Sequence, residues 1–348
     1  MSRLVERCLE VIPGPPAPLE AVARGGPGER GGWRGFFEVA TEHGVRGVLV
    51  DALAGAGALP PAVERRELRG RALDALFCDS HRAALARVLE ALSRAGVRAA
   101  SLKGPALAER VYSRPDARPS SDFDLLVDAA DLESATRALA ALGYAAEGGA
   151  AGRYYREHHH HVHLEHVSLP LVELHHCAYR GFGVQLAGAP LLARAVRHTS
   201  PRWTTWVLAP EDELLYLAVH AAGHRYERLV WLYDLKLFVA AHPALDWDVV
   251  ARRAEAAGLS AVLSLTCDLL ASRLGVPRVW SGAVAAPDPL RGALAPALMA
   301  SARALPARFA FNTLLCATPR RALENVARLA RRKVALELGR AVERFDPG

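Results

Sequence analysis

The segment Arg118–Asp128, "RPSSDFDLLVD", places two aspartates inside an apolar run that is typical of a buried β-strand. Because side chains alternate along a strand, Asp122 and Asp124 share one face and the apolar residues next to them point to the other. Their Cα atoms lie roughly 7 Å apart, a spacing at which two carboxylates can converge on a hard cation such as Mg²⁺. A buried pair of like charges is costly without a cation, so the segment predicts a metal-binding strand. The alternative is an edge strand with both acids in solvent.

The sequence around this strand predicts a small α/β unit. A short strand, "VRAASL", precedes the helix "ALAERVY", and the aspartates are followed by a second helix, "DLESATRALAALG". Two extended runs then flank "VSLP", which favours a hairpin. Glu173 is the single acid in the second of these runs. On a strand beside Asp122 and Asp124 it would complete a three-carboxylate site for two metal ions.

Phosphate-binding residues are predicted at two points near the aspartates. Lys103 and Gly104 follow the first strand, and Pro105 suits the first turn of the next helix. Backbone N–H groups, the helix dipole and the lysine ammonium would converge there on phosphates. Arg118, just ahead of the aspartate strand, would add a guanidinium fork.

Four segments together, "LKGPALAERVY", "RPSSDFDLLVD", "VELHH" and "HAAGHRYERLVWLYDL", resemble an uncharacterised bacterial branch of the DNA polymerase beta-like nucleotidyltransferases across residues 97–237. The resemblance implies three carboxylate ligands for two metal ions, Mg²⁺ or Mn²⁺: Asp122, Asp124 and Glu173. It also implies a group of residues around the nucleotide phosphates: Lys103, Gly104 and Ser121. The wider superfamily usually has Gly-Ser or Gly-Gly where this chain has Lys103–Gly104.

The region after residue 207 is predicted to be helical, and it contains a polar stripe. Five residues step by four, three, four and three positions along one helix: His220, His224, Glu227, Trp231 and Asp234. We expect this stripe to line the cleft facing the carboxylates, with His220, His224 and Asp234 contacting base, ribose or acceptor. The alternative is the solvated outer face of an amphipathic helix.

Histidines are concentrated in the predicted hairpin, where eight of fourteen fall between His158 and His176. Alternate ones, such as His159, His161 and His163, would share a strand face, a spacing that can bind Zn²⁺ or Ni²⁺. The run does not define a set of four ligands. Contact with an acidic substrate and plain hairpin surface are therefore the alternatives.

Size, hydropathy and charge restrict the class of protein. The chain has 348 residues, 51% of them hydrophobic, and can form two domains or one large one. It has no apolar run of the roughly 18 residues that span a membrane, and the N-terminal "MSRLVERCLEVI" is charged where a signal peptide would be apolar. We therefore expect a soluble cytoplasmic protein without a membrane partner. The segment from Ser301 to Gly348 has ten basic and four acidic residues, which indicates an amphipathic helix with a solvated basic face or one that binds nucleic acid.

The sequence therefore predicts an α+β fold with an N-terminal helical leader (1–95), a nucleotidyltransferase core (96–200) and a C-terminal helical domain (201–348). We expect a Mg²⁺-dependent enzyme that moves a nucleoside monophosphate from an NTP, such as ATP, to a hydroxyl and releases pyrophosphate. A small molecule, RNA and protein remain open as the acceptor. The alternative functions are a catalytically inactive nucleotide-binding module with the same fold and a histidine-rich metal-binding protein.

Overall fold

The N-terminal part of the chain is helical, as predicted. The computed structural model describes residues 3–12, 32–146, 161–300, 304–328 and 330. Among these described residues, four helices precede the sheet: α1 (Arg3–Val11), α2 (Gly32–Glu42), α3 (Arg46–Gly55) and α4 (Pro61–Arg94).

The long helix α4 covers one face of the aspartate strand. Leu85, Val88 and Leu92 of α4 lie in one hydrophobic cluster with Phe123 and Leu125. Burial of a large apolar side chain stabilises a fold by about 1.5–3 kcal/mol. This layer therefore determines which face of the strand is left for the aspartates.

The described residues form strands with the following bounds: β1 (Ala100–Ser101), β2 (Asp122–Leu126), β3 (Ala145–Ala146), β4 (His161–Glu165), β5 (Leu171–His175), β6 (Cys177–Gly181), β7 (Val184–Ala187), β8 (Val196–Thr199) and β9 (Thr204–Val207). Seven of these strands form one mixed sheet in the order β3-β4-β5-β2-β1-β9-β8, and β6 pairs with β7 in a separate hairpin. The predicted strand "VRAASL" contains only the two-residue β1. The α+β class is confirmed. Because β9 pairs in parallel with β1, the sheet extends beyond residue 200, and the division into three domains stays a prediction.

Strand register brings the polar residues of three neighbouring strands together. Strand β5 runs parallel to β2, with Glu173 opposite Asp124. Strand β4 runs antiparallel to β5, with His163 opposite Glu173 and His161 opposite His175. The predicted hairpin and the predicted position of Glu173 beside the aspartates are both confirmed.

In the part of the chain that the structure describes, nine further helices lie around and after the strands: α5 (Pro105–Val111), α6 (Leu132–Ala140), α7 (Gly188–Arg194), α8 (Pro210–Gly223), α9 (Leu229–Ala241), α10 (Trp247–Ala257), α11 (Ser260–Leu274), α12 (Pro289–Ala300) and α13 (Leu305–Leu314). Residues 319–328 are also helical. Residues 301–303, 329 and 331–348 of the basic C-terminal segment lie outside the described residues, so its predicted role stays open. Within the described ranges, no helix has both the length and the apolar character needed to cross a membrane.

The N-terminal and C-terminal helices share one hydrophobic core. Phe36 of α2 lies in the same buried cluster as Leu215 of α8 and Phe238 of α9. Each of these side chains is at most 4% exposed. The helices that precede the strands along the chain therefore pack against the helices that follow them.

Candidate active site

A cavity of about 1460 Å³ opens beside the carboxylate face of the sheet. Ligand pockets usually have volumes of about 300–1,000 Å³, so this cavity can hold a nucleotide and a second substrate. Its lining includes residues from the sheet, from the α8–α9 region and from α13 with the helical residues 319–328. The predicted residues among them are Lys103, Arg118, Ser121, Asp122, Asp124, Glu173, His220 and His224.

Both aspartates contact the same counter-ion, Lys103. Its Nζ lies 2.8 Å from Asp124 Oδ2 and 3.2 Å from Asp122 Oδ2, and the side chains of Lys103 and Asp124 are 13% and 2% exposed. Burial alone would lower the pKa of Lys103, but the Asp124 and Asp122 carboxylates raise it above its ordinary value. The ammonium therefore stays charged and offsets one of the two negative charges of the aspartate pair.

Histidines complete the polar cluster on the other side of the acids. His175 Nε2 lies 3.3 Å from Asp124 Oδ1 and 3.5 Å from Glu173 Oε2, and His163 Nε2 lies 3.4 Å from Glu173 Oε1. Asp124, Glu173 and His175 each offer a ligand atom, and these atoms lie within 4.8 Å of one another. His175 follows Glu173 by two positions, so strand alternation would have placed it on the same face.

Charge in this cluster keeps the acids ionised. Burial would raise the pKa of Glu173, but hydrogen bonds from His163 and His175 hold it well below its ordinary value. Burial would also raise the pKa of Asp124, but Lys103 and His175 lower it. Burial opposes a charged His175, yet hydrogen bonds to Asp124 and Glu173 raise its pKa. Ionised carboxylates are the form that binds metal ions.

The turn before α5 and the loop before β2 meet beside the aspartates. Gly104 has a φ of +71°, and a Cβ at this position would lie 3.1 Å from Ser120 Oγ. Ser120 Oγ donates to the Asp122 carbonyl oxygen at 2.9 Å, and Ser121 Oγ lies 3.3 Å from Asp122 Oδ1. Only glycine fits this conformation and this close approach without strain.

Arg118 and Asp234 form a buried ion pair. Arg118 donates through Nε and Nη2 to the two carboxylate oxygens of Asp234, each at 2.7 Å, and Tyr112 Oη donates to the same carboxylate at 2.7 Å. Asp234 is 1% exposed and lies behind Arg118, which itself lines the cavity. The expectation that Asp234 faces the cleft is therefore corrected. Two of the guanidinium nitrogens of Arg118 bind a carboxylate, so its role as a phosphate fork stays a prediction.

The expectation of one helix from His220 to Asp234 is wrong. Helix α8 ends at Gly223 and α9 begins at Leu229, and Arg225 and Tyr226 between them have φ angles of 55° and 54°. Residues in the left-handed backbone conformation cannot continue a right-handed α-helix, so they end it. In addition, Tyr226 Oη hydrogen-bonds Thr266 Oγ1 at 2.7 Å in the core, which holds the turn.

Three rings of the predicted stripe nevertheless meet in the cavity wall. The ring centroids of His220 and His224 are 4.8 Å apart, and Trp231 lies 5.5 Å from His220 and 4.8 Å from His224. Burial and then the Lys103 charge lower the pKa of both imidazoles. These histidines are therefore neutral near pH 7.

The part of the cavity wall formed by α13 and residues 319–328 was not predicted, because these residues are far along the chain from the aspartate strand. It includes Arg308, Phe309, Asn312 and Asn325. Asn325 is 1% exposed, and its Oδ1 accepts from Arg328 at 2.5 Å. Its buried Nδ2 has no hydrogen-bond partner among the described residues.

An α+β fold that brings three acids on adjacent strands and a lysine from a nearby turn to a nucleotide-sized cavity is typical of group-transfer enzymes that act on phosphates. A family model described as "uncharacterised nucleotidyltransferase" matches residues 29–275, which is most of the chain. The chain belongs to this family, and it is a transferase with a general role in nucleotidyl transfer. Searches of curated proteins and of solved structures find no match.

Proposed function

We propose that this enzyme transfers a nucleoside monophosphate from an NTP, such as ATP, to a hydroxyl of an acceptor and releases pyrophosphate. The observation that carries the proposal is the set of three acids on adjacent strands, Asp122, Asp124 and Glu173, with Lys103 in contact with both aspartates. Family membership supports the general reaction class. The NTP, the metal ion and the hydroxyl acceptor are our additions.

The donor set suits Mg²⁺, which prefers oxygen ligands. Lys103 already places one positive charge against both aspartates, so the site is built to hold a cation. Asp122 and Asp124 would bind two ions, and Glu173 would complete the site nearer the acceptor. Bound Mg²⁺ supplies charge neutralisation at the phosphates and lowers the pKa of a coordinated hydroxyl.

The reaction is a substitution at the α-phosphorus. The acceptor oxygen forms a bond to this phosphorus, the bond to the oxygen bridging the α- and β-phosphates breaks, and pyrophosphate leaves with that electron pair. The hydroxyl proton passes to water in the cavity. Because its low pKa makes Glu173 a weak base, we expect it to serve as a ligand and not as the proton acceptor.

Lys103 and Gly104 would hold the triphosphate. Gly104 has a positive φ in the turn that follows Lys103, and Lys103 lies beside the aspartates. The Lys103 ammonium would turn from the aspartates to the phosphates once the aspartates bind cations. The neutral rings of His220 and His224, together with Trp231, offer flat faces on which a base can stack.

The wall of α13 and residues 319–328 would receive the acceptor. Arg308 is exposed on this wall, and Phe309, Asn312 and Asn325 lie in the same lining. The wall therefore combines a positive charge, an aromatic ring and two amides. Such a surface suits an acceptor with both oxygen atoms and an apolar part.

The test is transfer from α-labelled NTPs, each supplied with Mg²⁺, into the RNA, protein and small-molecule fractions of a cell extract. We expect label in one fraction with the wild type and at least about 100-fold less with Asp122→Asn or Glu173→Gln, because one metal ligand is worth several kcal/mol in the transition state. Glu165→Gln, at an exposed end of β4, is the matched control and should keep full transfer. Full transfer by Glu173→Gln would contradict the three-acid site.

A further inference from the structure

A pair of histidines on β4 lies against Glu173, on the side that faces away from Asp122 and Asp124. His161 and His163 share a face of the strand, and their rings are stacked with centroids 4.7 Å apart. Register places His163 directly opposite Glu173, with Nε2 at 3.4 Å from Oε1. His161, His163 and Glu173 offer three ligand atoms that lie within 4.8 Å of one another. The three side chains therefore converge as two imidazoles and one carboxylate.

The two oxygens of Glu173 face different partners. Oε1 faces His163 at 3.4 Å, and Oε2 faces His175 at 3.5 Å. His175 in turn contacts Asp124 at 3.3 Å. One carboxylate thus stands between a nitrogen-rich group of ligands on β4 and the oxygen-rich group on β2. A carboxylate with this placement can bridge two cations.

Ligand chemistry separates the two groups. Carboxylates alone suit Mg²⁺, whereas imidazole nitrogen favours zinc and other divalent transition metals. Two histidines and one carboxylate form a three-ligand set that leaves positions open for water or substrate, as in catalytic zinc sites. Both histidines line the large cavity, so an ion has a path to them.

We propose that His161, His163 and Glu173 bind one divalent transition-metal ion of the zinc type, at a site distinct from the aspartate pair. Binding there does not require the transfer reaction. The link between the two sites through the Glu173 carboxylate rests on the proposed function. In that case the ion would hold Glu173 in position beside the acceptor end of the oxygen-rich site.

The experiment uses the full chain without an affinity tag, stripped of metal with EDTA and titrated with Co²⁺. Visible absorption reports the ligands around Co²⁺, and metal analysis after desalting counts retained ions. We expect one Co²⁺ per chain that Zn²⁺ displaces. His161→Ala and His163→Ala should each weaken Co²⁺ binding by about 100-fold or more. Even residues that only hydrogen-bond a metal ligand cost about 10- to 100-fold in affinity when they are replaced. His198→Ala, on β8 outside the cavity lining, should bind like the wild type.

Two outcomes would overturn the proposal: a wild type that retains no Co²⁺ or Zn²⁺, and His161→Ala and His163→Ala variants that bind as tightly as it does. His158–His160 lie outside the described residues, and binding by them would produce the second outcome. Circular dichroism confirms that each variant is folded. Asp122→Asn separates the two proposals, since it should lose nucleotidyl transfer and keep Co²⁺. Transfer that fails in the wild type while Co²⁺ binds would reject only the proposed function.

Discussion

Lys103 is expected to act as an internal counter-ion for the aspartate pair when no divalent cation is bound. Its Nζ contacts Asp124 at 2.8 Å and Asp122 at 3.2 Å. Lys103→Met keeps most of the side-chain volume and removes the charge. The variant would therefore leave two neighbouring carboxylates without their shared cation, one of them almost fully buried.

The structure sets the size of the effect. Removing one partner of a buried ion pair costs about 3–5 kcal/mol. Asp122 is 25% exposed and His175 still faces Asp124, so we expect the low end, about 3 kcal/mol in metal-free buffer. A ligand at 100 times its Kd stabilises a fold by about 2.7 kcal/mol. Mg²⁺ should therefore recover most of the loss in the variant, and it should stabilise the wild type less because it competes there with the ammonium.

The assay is urea unfolding followed by circular dichroism, with EDTA and with increasing Mg²⁺. Lys236→Met, which changes a half-buried lysine on α9 outside the cavity lining, is the matched control and should show the wild-type response to Mg²⁺. An equal gain of unfolding free energy from Mg²⁺ in the wild type and in Lys103→Met would refute the reasoning. A Lys103→Met variant as stable as the wild type in EDTA would refute the counter-ion role itself.

Three further predictions test residues in the cavity wall and directly behind it. Asp234→Ala should destabilise the fold by about 3–5 kcal/mol in urea unfolding, because it leaves the buried guanidinium of Arg118 unpaired. Arg308→Ala should raise the KM for an anionic acceptor by about 10-fold, the value of one charged hydrogen bond, and leave the KM for the NTP unchanged. The raised pKa of His175 means that its charged form stabilises the fold fully below pH 6.5, and that this stability is lost as the pH rises through the folded-state pKa. His175→Gln should remove this part of the pH dependence of unfolding. If the variant still loses stability as the pH rises through the same range, a group other than His175 is responsible.

The part of the site carried by strands could be predicted because strand alternation is simple. The two-residue period placed both aspartates on one face, and the isolated acid in an apolar run placed Glu173 on a neighbouring strand. The same period, applied two residues further, identifies His175, whose contact with Asp124 was not predicted. The sequence thus contained more of the polar cluster than its acids alone.

Helical periodicity was less reliable because it does not show where the chain changes direction. The stripe from His220 to Asp234 has regular helical spacing, yet Arg225 and Tyr226 adopt left-handed conformations between two helices. Neither residue is a glycine, and Gly223, the last residue of α8, is the only local sign in this stretch that the helix ends. The hydrogen bond from Tyr226 to Thr266 that holds the turn connects residues 40 positions apart. Long-range contacts of this kind are outside what a pattern of neighbours can predict.

The cavity lining divides between two parts of the chain, and this division indicates where specificity arises. The family match ends at residue 275, before α13 and the helical residues 319–328. Asn325, in the latter segment, keeps a buried Nδ2 without a partner among the described residues, and a buried donor left unpaired costs about 1–3 kcal/mol. The wall that includes Asn325 is also lined by Arg308, Phe309 and Asn312. We therefore expect the sheet to determine the reaction and the C-terminal wall to determine which hydroxyl compound receives the nucleotide.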